Sequence, residues 1–528
     1  MNAEPRNSVE PGPESSAPDG ILYRIPSTAE ARASFREISE AATAHRAGGG
    51  QVVVVQGLGF VGSAVAAAVA GATNAESRPF HYVIGVDLPS PESYWKVAKI
   101  NEGNPPFRSP DQTLTELFHQ TVHERGNLRA TTCEEAYALA DVVVVDVHLD
   151  VENRVAERAD EIRVRLEGFQ SALRAVGRHM PADALVLIET TVPMGTCERI
   201  ALPILREERA RRGIREPVLL ANAYERVMPG PGYVDSIRAL SRTFAGIDQE
   251  SAERAETFLK TVIDTDGHPL WQLEDTVSSE LGKLLENSYR SVNIAFIHEW
   301  TLLAEQIGVN LFEIVDSIRV RKGTHDNMRY PGFGVGGYCL TKDSLLAQWS
   351  AAHLFEADVV LGMTLGALRT NYEMPLHTFD LVEELADSVA GKTIAVLGVS
   401  YLAGVADTRN SPTEILVDRL LEADASLRVH DPLVATWYER PEIDVLQDLS
   451  SALAEASGVV FAVPHDAYLA LASQELLELI APHAFVVDAQ NIVSDEKARA
   501  LHEAGRRVVG VGKGHWRTRG YHVYERRA

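Results

Sequence analysis

A run of four valines at residues 52–55 stops at Gly57-Leu58-Gly59-Phe60-Val61-Gly62 and gives way to an alanine-rich stretch lasting to Ala70. No charged residue interrupts positions 52–72, about the length of a bilayer-spanning helix. Glycines at 57, 59, 62 and 71, and the switch from β-branched to alanine-rich sequence, argue against that reading and predict strand, tight turn and helix. A glycine turn in that setting is a dinucleotide fingerprint. Gly57 permits the turn, Gly59 lets backbone N–H groups approach a pyrophosphate, and Gly62 lets helix and strand pack closely, with Phe60 and Val61 between them. Asp87 ends the next apolar run, 25 residues past Gly62 (87 − 62). A carboxylate there accepts hydrogen bonds from ribose hydroxyls and repels a 2′-phosphate, so NAD is expected rather than NADP.

Further β-branched runs begin at 140 (ADVVVVDV) and 184 (ALVLIET), separated by helical patterns. Unbroken Val/Ile runs between amphipathic helices indicate a parallel sheet covered on both faces. From about 270 to 385 the pattern turns helical, with Leu281, Leu284, Leu285, Val292, Ala295 and Phe296 at helix spacing. After Gly391 the alternation returns in KTIAVLGVSY, ASLRVHDP, SGVVFAVPH, AFVVDAQNI and RRVVGVGKG. The expected fold class is therefore α/β: two Rossmann-like doubly wound parallel-sheet domains joined by a long central helix and a helical dimerisation region. At 528 residues the chain exceeds what one core supports.

The formal charge is −24, which disfavours nucleic acid and anionic membranes as partners while leaving room for a local basic pocket that takes a phosphorylated small molecule. Three cysteines, 133, 197 and 339, are too few and too odd in number for a disulfide framework, which points to a reducing, cytoplasmic setting. The first 20 or so residues are rich in Pro, Ser, Glu and Gly without an apolar run, so they read as a disordered tail rather than a secretory signal.

Cys339 closes the segment Pro331-Gly-Phe-Gly-Val-Gly-Gly-Tyr-Cys339. Gly332, Gly334, Gly336 and Gly337 leave little bulk around the thiol, so a substrate can approach sulfur and backbone N–H groups closely. Asp343, four residues on, shares a face with the cysteine if a helix begins there. Cys133 and Cys197 lack such surroundings and read as small hydrophobes. Glu280, Lys283 and Asn287, spaced three and four apart, form a polar stripe on a helix whose other side carries Leu281, Leu284 and Leu285. Alone, such a stripe is a solvated face.

Taken together, these segments resemble the UDP-glucose/GDP-mannose dehydrogenase family from about residue 50 to 515. GVGGYC with Lys342-Asp343 resembles its catalytic loop, and Glu280-x-x-Lys283-x-x-x-Asn287 resembles its helix signature. Glu189-Thr-Thr191-Val-Pro193 resembles its Thr-Val-Pro turn, and Ile100-Asn-x-Gly103 its early Asn-Gly segment. Asp407-Thr-Arg409-x-Ser-Pro412 and His430-Asp-Pro432 resemble the start of its nucleotide-sugar domain. The resemblance implies NAD-dependent four-electron oxidation of the C6 hydroxymethyl of a nucleotide sugar to the uronic acid, through a cysteine thiohemiacetal and thioester. It implies Cys339 as nucleophile, Lys283 and Asn287 as oxyanion donors, and Asp343 ahead of Thr191 as the group positioning water. Cofactor contacts fall on Gly57, Gly59, Phe60, Val61, Gly62, Asp87 and Thr191. Substrate contacts fall on Glu225, Arg226, Lys283, Asn287, Tyr330, Gly334, Gly336, Gly337 and Arg409, with an arginine between 319 and 329 facing a neighbouring subunit's site; no metal is expected. The implied domains are a tail at 1–25, an NAD-binding domain at 26–250, a central helical region with the cysteine at 251–385, and a nucleotide-sugar domain at 386–528. A homo-oligomer is expected.

Tyr224-Glu225-Arg226-Val-Met-Pro229-Gly230 and the Gly-Val-Gly-Gly-x-Cys loop resemble members acting on UDP-N-acetylhexosamines, whereas Thr341-Lys342-Asp343 resembles the UDP-glucose and GDP-mannose branches. The lean is toward a UDP-N-acetylamino sugar, with UDP-glucose next. Three positions depart from the family. His148-Leu149 stands where relatives carry Thr-Pro, so His148 either contacts nicotinamide or closes the strand. Tyr401-Leu402 replaces Phe-Lys, so a phosphate anchor is missing or relocated. Tyr338 is bulkier than serine, which alters the sugar fit. The rival classes are a single-step hydroxyacid or polyol dehydrogenase in which the thiol is idle, and a non-catalytic nucleotide-sugar binding protein.

Overall fold

The computed structural model describes residues 13–152, 154, 159–228 and 230–523. Residues 1–12 of the expected tail lie outside these, as does Pro229. The remainder of the tail is ordered: Glu14–Ser16 pairs antiparallel with Leu22–Arg24, and the Ser15 hydroxyl donates to the Pro91 carbonyl at 2.6 Å. A sequence without an apolar run can still be held when its polar groups find backbone partners.

The chain divides into two compact units. The first comprises residues 1–150, 164–283 and 349–357, and the second residues 151–163, 284–348 and 358–528. The division falls inside the helix Thr276–Ile307, between Lys283 and Leu284. The first unit also runs past the expected boundary at 250. Its sheet turns back at Arg242–Gly246, antiparallel to Leu219–Asn222, and adds Leu270–Gln272 parallel to that return.

In strand order the first sheet reads Leu270–Gln272, Arg242–Gly246, Leu219–Asn222, Leu185–Ile188, Val142–Val145, Gln51–Gln56, His81–Val86 and Leu128–Thr131. All neighbours except the 219–222 and 242–246 pair run parallel. The valine run explains itself here. Val53 and Val55 pack on one face with Ala64, Ala67 and Phe118, while Val52 and Val54 pack on the other with Tyr137, Phe169 and Leu173. Both faces are dry, so both parities of the strand must be apolar.

The second unit repeats the principle. Its sheet is parallel throughout, in the order Val445–Leu446, Ser426–His430, Thr393–Leu397, Gly458–Phe461, Phe485–Asp488 and Val508–Gly510. Ile394 and Val396 face one core, Ala395 and Leu397 the other. The helical middle consists of Thr276–Ile307, Leu311–Arg319, Asp343–His353 and Gly362–Ala386. No helix among the described residues is long and apolar enough to cross a membrane.

Candidate active site

The first unit presents a cradle for an anion. Gly57 has a φ of +89°, and a Cβ there would lie 2.7 Å from the Asp146 carbonyl oxygen. At Gly62 a Cβ would come within 1.9 Å of the Gly57 carbonyl oxygen, so only glycine lets the helix Phe60–Ala70 approach the strand this closely. Gly59 caps that helix without a side-chain acceptor, as at helix N-termini that bind anions. Asp87 follows the His81–Val86 strand, where Oδ2 accepts from Leu58 N at 3.0 Å and pairs with Lys96 Nζ at 3.1 Å. A glycine turn into a helix without a side-chain cap, with a carboxylate after the next strand, fits the NAD expectation.

Around the adjoining strand ends lies a buried set of charges. Arg242 Nη1 meets Glu189 Oε1 at 2.5 Å. Lys283 Nζ donates to the Glu225 carbonyl at 2.7 Å, lies 3.3 Å from Glu225 Oε1 and sits 5.6 Å from the centre of the Tyr224 ring. Glu225 Oε2 accepts from Val227 N at 2.6 Å. Arg226 donates to the Ser241 carbonyl at 2.5 Å and to the Tyr224 hydroxyl at 3.3 Å. Burial pushes Glu189 above the usual carboxylate range despite Arg242. Burial, with Glu189 and Glu225 nearby, raises Asp146 much further. Thr191 is buried in the turn that follows the Leu185–Ile188 strand. His148 is exposed just past the Val142–Val145 strand.

The polar helix stripe faces inward. Glu280, Lys283 and Asn287 are buried at 1%, 6% and 4% exposure, whereas Leu281 and Leu285 stand 41% and 64% exposed. Only Leu284 among the three leucines is buried. Periodicity located the two faces, but partners elsewhere in the chain decided which face turned inward.

In the second unit Cys339 is exposed at the end of the glycine segment. Its carbonyl accepts from Lys342 N at 3.2 Å and Asp343 N at 3.0 Å, so a turn precedes the helix that starts at Asp343. Asn287 Nδ2 donates to Asp343 Oδ2 at 2.6 Å, and Lys342 Nζ meets Asp343 Oδ1 at 3.0 Å. The sequence pattern therefore brings Asn287 and Asp343 together across 56 residues. Gly337 has a φ of +78°, and a Cβ there would press within 2.8 Å of the Tyr401 ring; at Gly336 a Cβ would meet Tyr401 Cβ at 2.8 Å. A Cβ at Gly334 would meet the Asn371 carbonyl oxygen at 2.9 Å. Tyr401 packs where Phe is usual, and burial pushes its phenol up to about 12. Leu402, in the lysine's place, is half exposed.

Tyr338 draws three cations the sequence did not connect. Arg409 lies 5.1 Å, Arg154 5.6 Å and Lys342 5.7 Å from its ring centre. Arg409 is held by Asp407 at 2.9 and 2.6 Å, and Arg154 Nη1 donates to Thr341 Oγ1 at 2.8 Å. Tyr330, half exposed, donates to Asp316 Oδ1 at 2.5 Å and carries the Arg319 guanidinium 4.9 Å from its ring centre. Sequence reasoning missed Asp146, Arg242 and Arg154. Asp146 carried one signal, a carboxylate directly after four valines at a strand's carboxyl end.

A glycine turn opening a helix after a sheet strand in the first unit, and a parallel α/β sheet in the second, define the class as Rossmann-type. Comparison with known proteins narrows the class. Three profiles of one family match: the NAD binding domain over residues 51–262, the central domain over 277–366 and the UDP binding domain over 395–495. The chain belongs to the UDP-glucose/GDP-mannose dehydrogenase family and is an NAD-dependent nucleotide-sugar dehydrogenase. It is similar to the UDP-N-acetyl-D-mannosamine dehydrogenase of Pyrococcus horikoshii, 29% identical over 88% of this chain and 99% of that one. The Methanocaldococcus jannaschii enzyme of the same name is 28% identical over 88% and 97%. The solved structure of the P. horikoshii UDP-D-ManNAc dehydrogenase superposes with a TM-score of 0.74 at 27% identity, covering 88% of this chain and all of that one. The NDP-N-acetyl-D-galactosaminuronic acid dehydrogenase of Methanosarcina mazei gives 0.73 at 27% identity, covering 90% and 98%.

Proposed function

We propose that this enzyme oxidises the C6 hydroxymethyl of a UDP-N-acetylhexosamine to the carboxylate in two rounds, with Cys339 holding the intermediate. NAD, gripped by the turn from Gly57 to Gly62 and by Asp87, supplies the hydride acceptor for each round. The exposed Cys339 thiol among glycines is the observation that carries the reading. Its thiolate adds to the aldehyde carbon, a C–S bond forms, and the carbonyl electron pair becomes an alkoxide. Lys283 and Asn287 donate to that oxygen, each well-aimed donor contributing about 3 kcal/mol in the transition state. Loss of the second hydride leaves a thioester. Water then breaks the C–S bond, giving the acid and restoring the thiol. Asp343, gripped by Asn287 and Lys342, orients that water, with Thr191 second in rank. Per sugar the balance is one alcohol, two NAD and one water in, and one carboxylate, two NADH and three protons out.

Glu225 and Arg226 in their Glu-Arg-Val context, together with relatives named for UDP-N-acetyl-D-mannosamine, support the amino-sugar branch over UDP-glucose. Arg409 beside Tyr338 supports a phosphate-facing role. The second unit's share of the long helix supports an oligomer. Leu285, Tyr289, Phe296, Trp300, Leu303 and Ile307 repeat every three, four or seven residues and all stand exposed, a stripe that a second copy of the chain covers.

The test is to incubate the chain with NAD and a panel of UDP-N-acetylmannosamine, UDP-N-acetylgalactosamine, UDP-N-acetylglucosamine and UDP-glucose, counting NADH per product acid by absorbance and mass spectrometry. Two NADH per acid is expected, with none of the acid formed by Cys339→Ser. One NADH per product would favour the single-step class, and nucleotide-sugar binding without turnover would favour a binding protein.

A further inference from the structure

Glu280 opens the helix signature yet has no part in the chemistry above. It is buried in the first unit, and each carboxylate oxygen has its own backbone donor: Gly195 N to Oε2 at 2.5 Å and Cys197 N to Oε1 at 2.7 Å. Both donors belong to the turn that continues from Thr190-Thr191-Val192-Pro193. The same turn is tied by the Thr196 hydroxyl to the Pro193 carbonyl at 2.6 Å. It is also pinned at Gly195, whose φ is +86° and whose Cβ would meet the Phe355 ring at 2.9 Å. A carboxylate is the one side chain of this length that offers acceptors to two N–H groups on separate oxygens. Protonated, or replaced by an amide, it presents a donor to one of them.

We propose that Glu280 is a positioning residue that sets the turn carrying Thr191 through its bonds to Gly195 and Cys197. This rests on Thr191 acting at the reacting centre, as read above. Two ionisable groups bear on Glu280: the Cys197 thiol, whose hydrogen bond favours its charge, and the Glu198 carboxylate, which opposes it. Burial, the largest influence, raises it to about 7 against the pull of the two amides. The turn therefore holds both anchors above neutrality and loses one below it.

The experiment compares the full-length wild type with Glu280→Gln and Glu280→Asp, reading kcat and KM across pH 5.5–9 and hydrogen exchange of the peptide spanning residues 190–200 at pH 6 and 8, corrected for intrinsic rates. The wild type is expected to gain kcat through a limb near pH 7. In Glu280→Gln the limb disappears, kcat falls about ten- to hundredfold at pH 8, and the 190–200 peptide exchanges faster than that of the wild type at the same pH. Glu280→Asp, which keeps the charge, recovers part of kcat, of the limb and of the protection. A limb that persists in Glu280→Gln, or a 190–200 peptide as protected in that variant as in the wild type, overturns the proposal. Should the wild type turn over no nucleotide sugar, the functional reading fails, and the exchange measurement alone still decides whether Glu280 holds the turn.

Discussion

Asp146 has both carboxyl oxygens buried without a hydrogen-bond partner, directly beneath Gly62. Glu189 and Glu225 add to the burial penalty and Arg242 offsets only part of it, so the group is held protonated well above its ordinary range. The consequence for stability has a definite sign. An acid raised in the folded state holds a proton that the unfolded chain has already released, so stability falls as pH climbs from the unfolded toward the folded value. Asp146→Asn removes that slope. The wild type is expected to lose stability as pH rises above about 4 and the variant to lack that loss, read from urea midpoints at pH 4 and pH 9. Glu280 adds a second slope of the same sign between pH 4.5 and about 7, so Glu280→Gln should gain on the wild type by ~2–3 kcal/mol over that window even while it loses turnover. Cys339 was legible from its glycine neighbours alone, because the chemistry it needs is local access. Asp146 was not, because its protonation is set by burial and by Glu189, Glu225 and Arg242, which the fold brings in from elsewhere in the sequence.

At the scale of an element, the helix Thr276–Ile307 shows what a periodic pattern conveys. Its apolar and polar faces are where the spacing places them, yet Glu280, Lys283 and Asn287 are buried while Leu281 and Leu285 are exposed. Buried polar groups persist only when paired. Here each has a partner: Glu280 at the Gly195 and Cys197 amides, Lys283 at Glu225, Asn287 at Asp343. The exposed stripe from Leu285 to Ile307 then needs cover of its own, about 33 Å of helix at 1.5 Å per residue. Covering a leucine or phenylalanine contributes about 1.5–3 kcal/mol per side chain. Trp300→Glu combined with Leu303→Glu is therefore expected to lower the sedimenting mass to that of a single chain at micromolar concentration, with unchanged far-ultraviolet dichroism. Retention of the larger mass would place the oligomer contact elsewhere.

Across the whole molecule, the two sheets differ in the loop that follows the central strand. In the first unit the loop after Gln51–Gln56 keeps its helix N-terminus free of side-chain caps. In the second, the loop after Thr393–Leu397 is filled from within: Asp431 Oδ2 accepts from Val399 N at 2.8 Å and Ser400 N at 3.2 Å, with His465 Nε2 3.2 Å away. Two amides of that loop already have acceptors, and it carries Gly398 alone where the first unit's turn has three glycines, so no second NAD is expected there. Calorimetry should accordingly count one NAD per chain, and a Gly62→Val variant should lose it. A second equivalent of NAD on the wild type would contradict this assignment.

The sequence by itself determined the two β/α alternations, the glycine turn with its acidic ribose partner, and the glycine-flanked thiol, because each depends on neighbours within a few dozen residues. The extra antiparallel return that carries the first sheet past residue 250, the inward turn of the polar helix face, and the clustering of Arg154, Arg409 and Lys342 about Tyr338 were decided only by tertiary structure. Burying a charge is tolerable only where an opposite charge or a pair of amides meets it, and those partners come from segments that the linear pattern leaves unconnected.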